Sequence, residues 1–510
     1  MDSFSGIILA TINAKWIHPS LALRLLKANL GELEKDCELL EFAIRQPINE
    51  KIGPILAARP RILGISVSIW NHLATLELLK VLSENWEAEQ EYQQKPIVVL
   101  GGPEVSWLNE EAEIFRYADY VIRGEGEESF HSLCRDILSG KEPLTGKPFT
   151  GPAKHSDAVF INQGNTAVDV NTLASPYRLY TDEDLKRKLV YVETSRGCPF
   201  GCEFCQASKK PALLNQVSVM RHNRAGQVRE FPPEPFLADM ESLIERGGRT
   251  FKFLDRTFNL DMARVKKIME FFLERIEALE AGKPDRNRPL CVHFEMVPLR
   301  FPPELKELLR RFPPGSLRLE LGIQTFNPQT AALINRAGNM EEETETLEFL
   351  RRETNAIVHA DLIAGLPGEE TASFETGFDR LWLALTGTEK LDPASKKQFE
   401  IQLGILKCLP GTAIARHNEA YKMRYDPNPP YEVIETGAMP KTELDRIKNF
   451  ARFWELIVNR SPFPEMTPNL APPGKPVFGK FMLLSDRLLG KFGRNWGIDR
   501  SELRLFLYSC

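Results

Sequence analysis

Along residues 1–140, short apolar runs alternate with stretches whose apolar positions recur at helical spacing. The runs are GIILATI, CELLEFAI, ILGISVS, IVVLGG and YVIRG, and the helical stretches between them include PSLALRLLKANLG and LATLELLKVLSENW. Runs that stay apolar from end to end suit strands buried on both faces, so five βα units in succession predict a doubly wound parallel sheet, a flavodoxin-like, Rossmann-type α/β domain. Ligands of such sheets sit at the carboxyl ends of the strands. There the chain carries SIWNH (68–72), GGPE (101–104) and GEGEE (124–128). Gly101, Gly102, Gly124 and Gly126 let backbone approach a ligand closely, and the same glycines serve equally well as plain turns.

Residues 141–187 are polar, rich in glycine and proline and without sustained periodicity, which predicts a linker. A second alternation follows over residues 188–410: LVYVETS, TFKFLDRT, LCVHFEM, LRLELGIQ, NAIVHADLI and FEIQLGILKCL, with PFLADMESLIERGG and EEETETLEFLRRE among the helical stretches. Six βα units predict a partial parallel barrel of the TIM type, with its chemistry at the strand ends. Over residues 411–510 the alternation stops. A turn, a short strand, a long amphipathic helix, a proline-rich loop and further helices predict a mainly helical domain.

Composition narrows the class without changing this picture. A chain of 510 residues exceeds one hydrophobic core, and 43% apolar with 26% charged residues is ordinary for a folded protein. The balance of 65 basic and 70 acidic residues, a net charge of −5, provides no general pull toward nucleic acid or an anionic membrane, so no nucleic-acid partner is expected. The first residues lack a basic region and carry only a short apolar run, and no stretch has the length of a membrane span. Cys37, Cys134, Cys291, Cys408 and Cys510 lie far apart and build no disulfide framework, and a reducing, cytoplasmic setting is expected.

The remaining three cysteines, Cys198, Cys202 and Cys205, form C-x3-C-x2-C in ETSRGCPFGCEFCQAS, directly after the run LVYVETS. Three nearby thiolates are soft ligands for iron–sulfur or zinc. A structural zinc site is closed by a fourth protein ligand, and His222 in MRHNRAGQVR is the nearest candidate, with no knuckle pairing around it. A [4Fe-4S] cluster on three cysteines instead leaves one iron open for substrate or cofactor.

With Phe204 just before its last cysteine, the motif resembles the signature of the radical S-adenosylmethionine superfamily, and the resemblance extends over residues 188–410. It implies that the open iron is chelated by the amino and carboxylate groups of S-adenosylmethionine and that later strands hold the rest of that molecule. Glu295 in HFEMVP would face the methionyl amine, Arg336 in LINRAG the methionyl carboxylate, and Gln324 in LELGIQTF the ribose. Asp361 in HADLIAGLPGE would bind ribose hydroxyls, with Gly365, Pro367 and Gly368 shaping the turn, and Asp255 in FLDRTFN would face cofactor or substrate. The residue types suit these tasks, since arginine pairs a carboxylate bidentately and glutamine or aspartate suits vicinal hydroxyls. Each is equally an ordinary salt bridge or strand-end cap.

The front domain resembles the cobalamin-binding class of the same superfamily, on GGPE followed by DYVIRGEGE. NAKWIHPSLALRLL and PPYEVIET resemble one subfamily whose C-terminal domain has no assigned function. Gly101, Gly102 and Glu104, with Gly124 and Gly126, would then meet the corrin edge and nucleotide tail. The chain departs from classical methylcobalamin proteins in lacking D-x-H-x-x-G, and His18 in IHPSLA does not fit that motif, so the resemblance implies cobalamin held without a histidine below cobalt. Trp70 and Asn71 are the candidates for the lower corrin face, and Trp70 is equally a core or interface aromatic.

The reaction implied is methylation of an unactivated carbon. An electron donor such as flavodoxin or ferredoxin reduces the cluster, S-adenosylmethionine is split to methionine and a 5′-deoxyadenosyl radical, that radical takes a hydrogen atom, and methylcobalamin supplies the methyl group. Three other readings stand beside it: radical rearrangement or cyclisation without methyl transfer, a radical enzyme whose front domain has lost cobalamin, and a zinc-stabilised binding module. Methylthio transfer is disfavoured because no second group of three cysteines exists. With Cys510 its single cysteine and Cys408 just ahead of it, the C-terminal domain is short of ligands for a further cluster of the usual four-cysteine kind and is expected to cap the substrate pocket. Small metabolite, lipid, peptide and tetrapyrrole substrates all suit the chain.

Overall fold

A computed structural model describes residues 6–88, 95–141, 158–162, 167–207, 228–281, 288–336, 338–387 and 399–508. Its contacts divide the chain into two units, Met1–Arg196 with Ala212–Lys252 and Gly197–Pro211 with Phe253–Cys510, and each is taken by itself.

In the first unit the five predicted strands are β1 (Ile7–Asn13), β2 (Cys37–Ala43), β3 (Ile62–Ser66), β4 (Ile97–Gly101) and β5 (Tyr120–Arg123). Between and after them run α1 (Leu21–Ala28), α2 (Ile48–Ala58), α3 (His72–Ala88) and α4 (Glu127–Leu138). Ser20 starts α1 by accepting the Leu23 amide on its hydroxyl at 3.2 Å. β1 is apolar throughout because both its faces are covered: Ile8, Ala10 and Ile12 pack with Ile55, Leu78 and Leu82, whereas Ile7 and Leu9 pack with Leu23, Phe130 and Leu133. β2 departs from the expectation of burial on both faces. It is an edge strand, and Glu38 on it is exposed.

The segment expected as a linker corrects the boundary at residue 140. Val159–Asn162 forms β6, which adds to β5 in parallel and completes the order β2-β1-β3-β4-β5-β6. Four residues are too short a run to stand out from polar surroundings, and pairing with β5 supplies the hydrogen bonds they need. Further on, Thr181 and Asp184 form a capping box at the start of α5 (Asp182–Arg187). Asp184 and Glu41 each meet the buried guanidinium of Arg24 at 3.0 Å, so the stretch before the second alternation is packed structure. β7 (Val190–Val192), a two-stranded pair of β8 (Ser195–Arg196) and β9 (Arg229–Glu230), α6 (Pro233–Glu245) and β10 (Thr250–Phe253) follow.

α7 (Met262–Ala281) leads to β11 (Cys291–Met296), α8 (Pro303–Arg311), β12 (Leu317–Gln324), α9 (Pro328–Leu333), α10 (Met340–Glu353), β13 (Ile357–Ala364), α11 (Thr371–Thr386) and β14 (Phe399–Ile405). The second sheet has the order β14-β13-β12-β11-β10-β7, the partial barrel expected from the alternation. Its strands alternate. Phe294, Leu319, Leu321, Val358, Ala360 and Ile401 share one face and are at most 2% exposed. The opposite face carries two polar rows, Glu295, Glu320, His359 and Glu400 in one, and Gly322, Asp361 and Gln402 in the next.

After β14 the chain forms a short antiparallel pair, β15 (Arg424–Tyr425) and β16 (Val433–Glu435), then α12 (Lys441–Trp454), α13 (Thr467–Leu470), α14 (Phe478–Phe492) and α15 (Arg500–Tyr508). α12 packs on α11 and α14 through an aromatic cluster. Phe450 stacks on Trp454 with centroids 5.6 Å apart, and Phe378 meets both edge-on. No helix among the described residues is long and apolar enough to cross a membrane.

Candidate functional site

In the second unit Cys198, Cys202 and Cys205 stand half-exposed on one loop. The turn at the end of α9 holds that loop from one side: Asn335 Nδ2 donates to Gly201 O at 2.9 Å and Glu203 N donates to Ile334 O at 3.0 Å. Arg336 lies with Nη1 3.8 Å from Cys202 Sγ, Nε 3.3 Å from Ile323 O, and Nη2 on Gly322 O. Cys198 Sγ is 3.9 Å from Thr257 Oγ1. Burial raises the Cys202 and Cys205 thiols above their ordinary pKa, with Arg336 opposing at the first and Arg256 at the second. Metal binding at this loop must therefore displace protons.

The three thiols are near enough for the charge of one to raise the pKa of another. Among the described residues no three His, Cys, Asp or Glu side chains converge on a point that one ion could fill, and His222 lies outside the described residues. Three thiols on one loop suit an iron–sulfur cluster, in which each takes its own iron.

The polar face of the second sheet carries the other candidates. Glu295 has a carboxylate oxygen 3.9 Å from Arg256 Nη1. Asp361 sits half-buried in register between Gly322 and Gln402. Gln324 ends β12 past a register shift with a left-handed φ of 71°, a conformation uncommon outside glycine, and a Cβ on Gly322 would run into its amide. Asp255, expected to face cofactor or substrate, is 1% exposed. FLDRTFN buries alternate residues Asp255, Thr257 and Asn259, and Asn259 staples the turn after β11 by donating to Val297 O and Arg300 O and accepting the Val297 amide, all within 2.9 Å.

Sequence reasoning missed the polar side chains that share this face with the candidates. His293 Nε2 is 3.3 Å from a Glu320 oxygen, His359 Nδ1 is 3.5 Å from Glu400 and 3.3 Å from Gln402 Nε2, and the two imidazole rings lie 5.5 Å apart. The signal was present, since each of these residues is two or four positions from a candidate or from another member of the group, the spacing that keeps strand side chains on one face.

In the first unit, five of the ten exposed large apolar side chains described lie just beyond the carboxyl ends of three adjacent strands: Trp16 and Ile17 after β1, Ile44 after β2, Trp70 and Leu73 after β3. They are 37–54% exposed. Exposed apolar side chains that follow adjacent strand ends make this edge a candidate for ligand contact. Asn71 is fully buried: its Oδ1 accepts the Ser68 amide at 2.7 Å, and its Nδ2 donates to Ile12 O at 3.0 Å and to Ser66 O at 3.3 Å. The structure therefore separates the two corrin candidates, leaving Trp70 on the surface and Asn71 tying β1 to β3. Gly102 has φ 105°, and a Cβ there would meet Val67 O at 2.6 Å. Gly124 has φ 85° with open space around it, and Gly126 caps α4. Glu104 is buried with an oxygen 2.9 Å from His72 Nδ1. His18 Nδ1 lies 2.7 Å from the Tyr191 hydroxyl, and burial with Lys15 and Lys252 lowers its pKa.

Residues 192–381 match the radical SAM superfamily model and residues 7–133 the B12 binding domain model. The chain is 22% identical over 424 residues to the cobalamin-dependent radical SAM methyltransferase TokK of Streptomyces tokunonensis, covering 78% of this chain and 56% of that one. It is 23% identical to the bacteriochlorophyllide d C-12(1)-methyltransferase of Chlorobaculum tepidum, covering 56% and 54%. The chain thus spans about half the length of these curated relatives. Among solved structures it resembles the cobalamin-dependent S-adenosylmethionine radical enzyme OxsB with aqua-cobalamin bound, at TM-score 0.60 and 15% identity over 96% of this chain and 75% of that one. It also resembles the radical S-adenosylmethionine methyltransferase TsrM from Kitasatospora setae with cobalamin and [4Fe-4S] cluster bound, at TM-score 0.54 and 18% identity over 80% and 77%. At such identities these structures establish the fold.

Proposed function

We propose that this chain is a cobalamin-dependent radical enzyme that methylates an unactivated carbon, a reading supported by the match of residues 192–381 to the radical SAM superfamily model and of residues 7–133 to the B12 binding domain model. One observation carries the reading: a single chain joins a three-thiol loop at the barrel with a front sheet whose carboxyl edge is lined by Trp16, Ile17, Ile44, Trp70 and Leu73. The methyltransferase names of the relatives support the choice of reaction. When bound, the cluster with S-adenosylmethionine supplies a carbon-centred radical and cobalamin supplies a methyl group.

The protein's own part is to hold and orient. Cys198, Cys202 and Cys205 hold three irons. Glu295 takes the methionyl amine, Arg336 the methionyl carboxylate, and Gln324 and Asp361 the ribose hydroxyls, from the strands of the second sheet and, for Arg336, the turn after α9. Asp255, being buried, is left a structural part rather than a contact with cofactor. Trp70 covers one corrin face, and the backbone at Gly101, Gly102, Gly124 and Gly126 borders the cofactor, with Glu104 fixing that edge through His72. The reducing partner is a low-potential electron carrier such as flavodoxin or ferredoxin, and the setting is the cytoplasm, where thiols stay reduced. The substrate is a small metabolite, lipid or peptide.

The test is anaerobic purification and reconstitution with iron, sulfide and cobalamin, followed by metal analysis, corrin absorption and S-adenosylmethionine cleavage. The expected result is one cluster and one corrin per chain, cleavage abolished in Cys202→Ala, and a product heavier than substrate by one CH2 unit. Protein without an iron–sulfur cluster, or cleavage intact in Cys202→Ala, overturns the proposal. A product isomeric with its substrate replaces methylation by rearrangement.

A further inference from the structure

Residues 410–417 follow β14 and lie beyond the stretch matched by the radical SAM model, which ends at 381. They nevertheless grip the cysteine loop at four places. Pro410 O accepts from Gln206 Nε2 at 2.9 Å, and Ile414 N donates to Glu203 O at 3.0 Å. Glu203, which stands between Cys202 and Cys205, is 7% exposed, and both its carboxylate oxygens are engaged from this segment. Oε2 lies 2.9 Å from His417 Nε2, and Oε1 lies 2.6 Å from Arg416 Nη2. The same Nε2 lies 3.4 Å from Arg416 Nε, so the three side chains form one cluster.

The loop is thus held from two sides. Asn335, Arg336 and the Ile334 carbonyl hold it from the turn after α9, and residues 410–417 hold it from the segment after β14. Metal ligands work only when locked in place by partners that are themselves fixed. Glu203 is well placed for this, since it has a ligand on its N-terminal side and another two positions on. A buried carboxylate bonded by two cationic or N–H donors is also costly to release once formed.

We propose that Glu203, His417 and Arg416 form a clasp that holds the cysteine loop in its ligating shape, which gives the segment after the barrel a part in retaining the cluster. These are positioning residues, since none is placed at the reacting atoms. The inference rests on the three-cysteine cluster of the proposed function and adds a second anchor to it.

The experiment measures loss of iron from reconstituted protein under an iron chelator, the EPR signal of the reduced cluster with and without S-adenosylmethionine, and the thermal midpoint of the iron-free protein. In His417→Ala, iron is expected to leave at least about tenfold faster than in wild type, the size of one lost hydrogen bond to a charged group. The EPR signal broadens; because His417 is itself buried the iron-free midpoint falls as well, and Arg416→Ala separates the clasp from that loss of stability. His417→Gln, whose amide donates to Glu203 in place of the ring, restores retention. Arg416→Ala, altering an exposed side chain, speeds loss by a smaller factor. Equal retention in His417→Ala, Arg416→Ala and wild type overturns the clasp, as does iron loss that only follows a fallen iron-free midpoint and is absent in Arg416→Ala. Wild-type protein without any cluster overturns the proposed function itself and the clasp with it.

Discussion

Trp70 and Asn71 are neighbours in the chain with opposite surroundings, and substituting each in turn separates a fold-bearing residue from a ligand-bearing one. Asn71→Ala deletes the acceptor of the Ser68 amide and the donor to the Ile12 and Ser66 carbonyls. At least one buried N–H and one buried carbonyl then lose a partner, at about 1–3 kcal/mol each, so the front unit should lose about 2–6 kcal/mol. Trp70 is 53% exposed, and its truncation removes few internal contacts, so stability should change by no more than about 0.5 kcal/mol. A ligand that covers that half of the ring would bury roughly 100 Å2, so the same truncation should weaken binding by about 2 kcal/mol, or thirtyfold. The assay is urea unfolding of the cobalamin-free protein, following the first transition, beside equilibrium binding of cobalamin. An Asn71→Ala protein as stable as wild type refutes the structural role assigned to Asn71. A Trp70→Ala protein that binds cobalamin as wild type does refutes the apolar rim as its site.

Gly102→Ala places a Cβ 2.6 Å from Val67 O at a φ of 105°, and the front unit should lose more than about 2 kcal/mol, read in the same urea transition. Glu369, buried with one oxygen on the Thr325 hydroxyl at 2.6 Å, has its carboxyl pushed up by burial to about 7 from 4.5. Its neutral form therefore favours the fold fully below pH 4.5, and that contribution is lost as pH rises through 7, at a cost of up to about 3 kcal/mol. The thermal midpoint of Glu369→Gln should vary less between pH 5 and 8 than that of wild type, and equal slopes would exclude this group as the cause. Glu295→Gln keeps the shape of the side chain and removes its charge. It should weaken S-adenosylmethionine binding about tenfold with iron content unchanged, measured by equilibrium dialysis.

Both alternations of apolar runs were legible because strands buried among helices must be apolar, and this constraint acts on each run locally. Edges escape it. β2 keeps Glu38 and Glu41 because one side of it has no strand neighbour, and β6 is too short to rise above the polar segment around it. The polar face of the second sheet was half legible. Glu295 and Asp361 stood out through their motifs, while His293, Glu320, His359, Glu400 and Gln402 carry the same two-residue spacing and share the face with them.

What sequence could not show is where a loop turns over. SIWNH exposes Trp70 and buries Asn71 because the Asn71 amide closes on three strand-end groups, and nothing in the run itself marks which of the two faces inward. The same limit hid the clasp. Glu203 and His417 are 214 positions apart, and neither belongs to a pattern that calls for the other. Reading motifs assigns ligands, because ligand chemistry restricts residue type. It does not find the residues that hold ligands in place, because many side chains can fill that role and only proximity selects one. The cysteine loop therefore shows its three thiols in the sequence and its anchors, Asn335 on one side and His417 on the other, only in the fold.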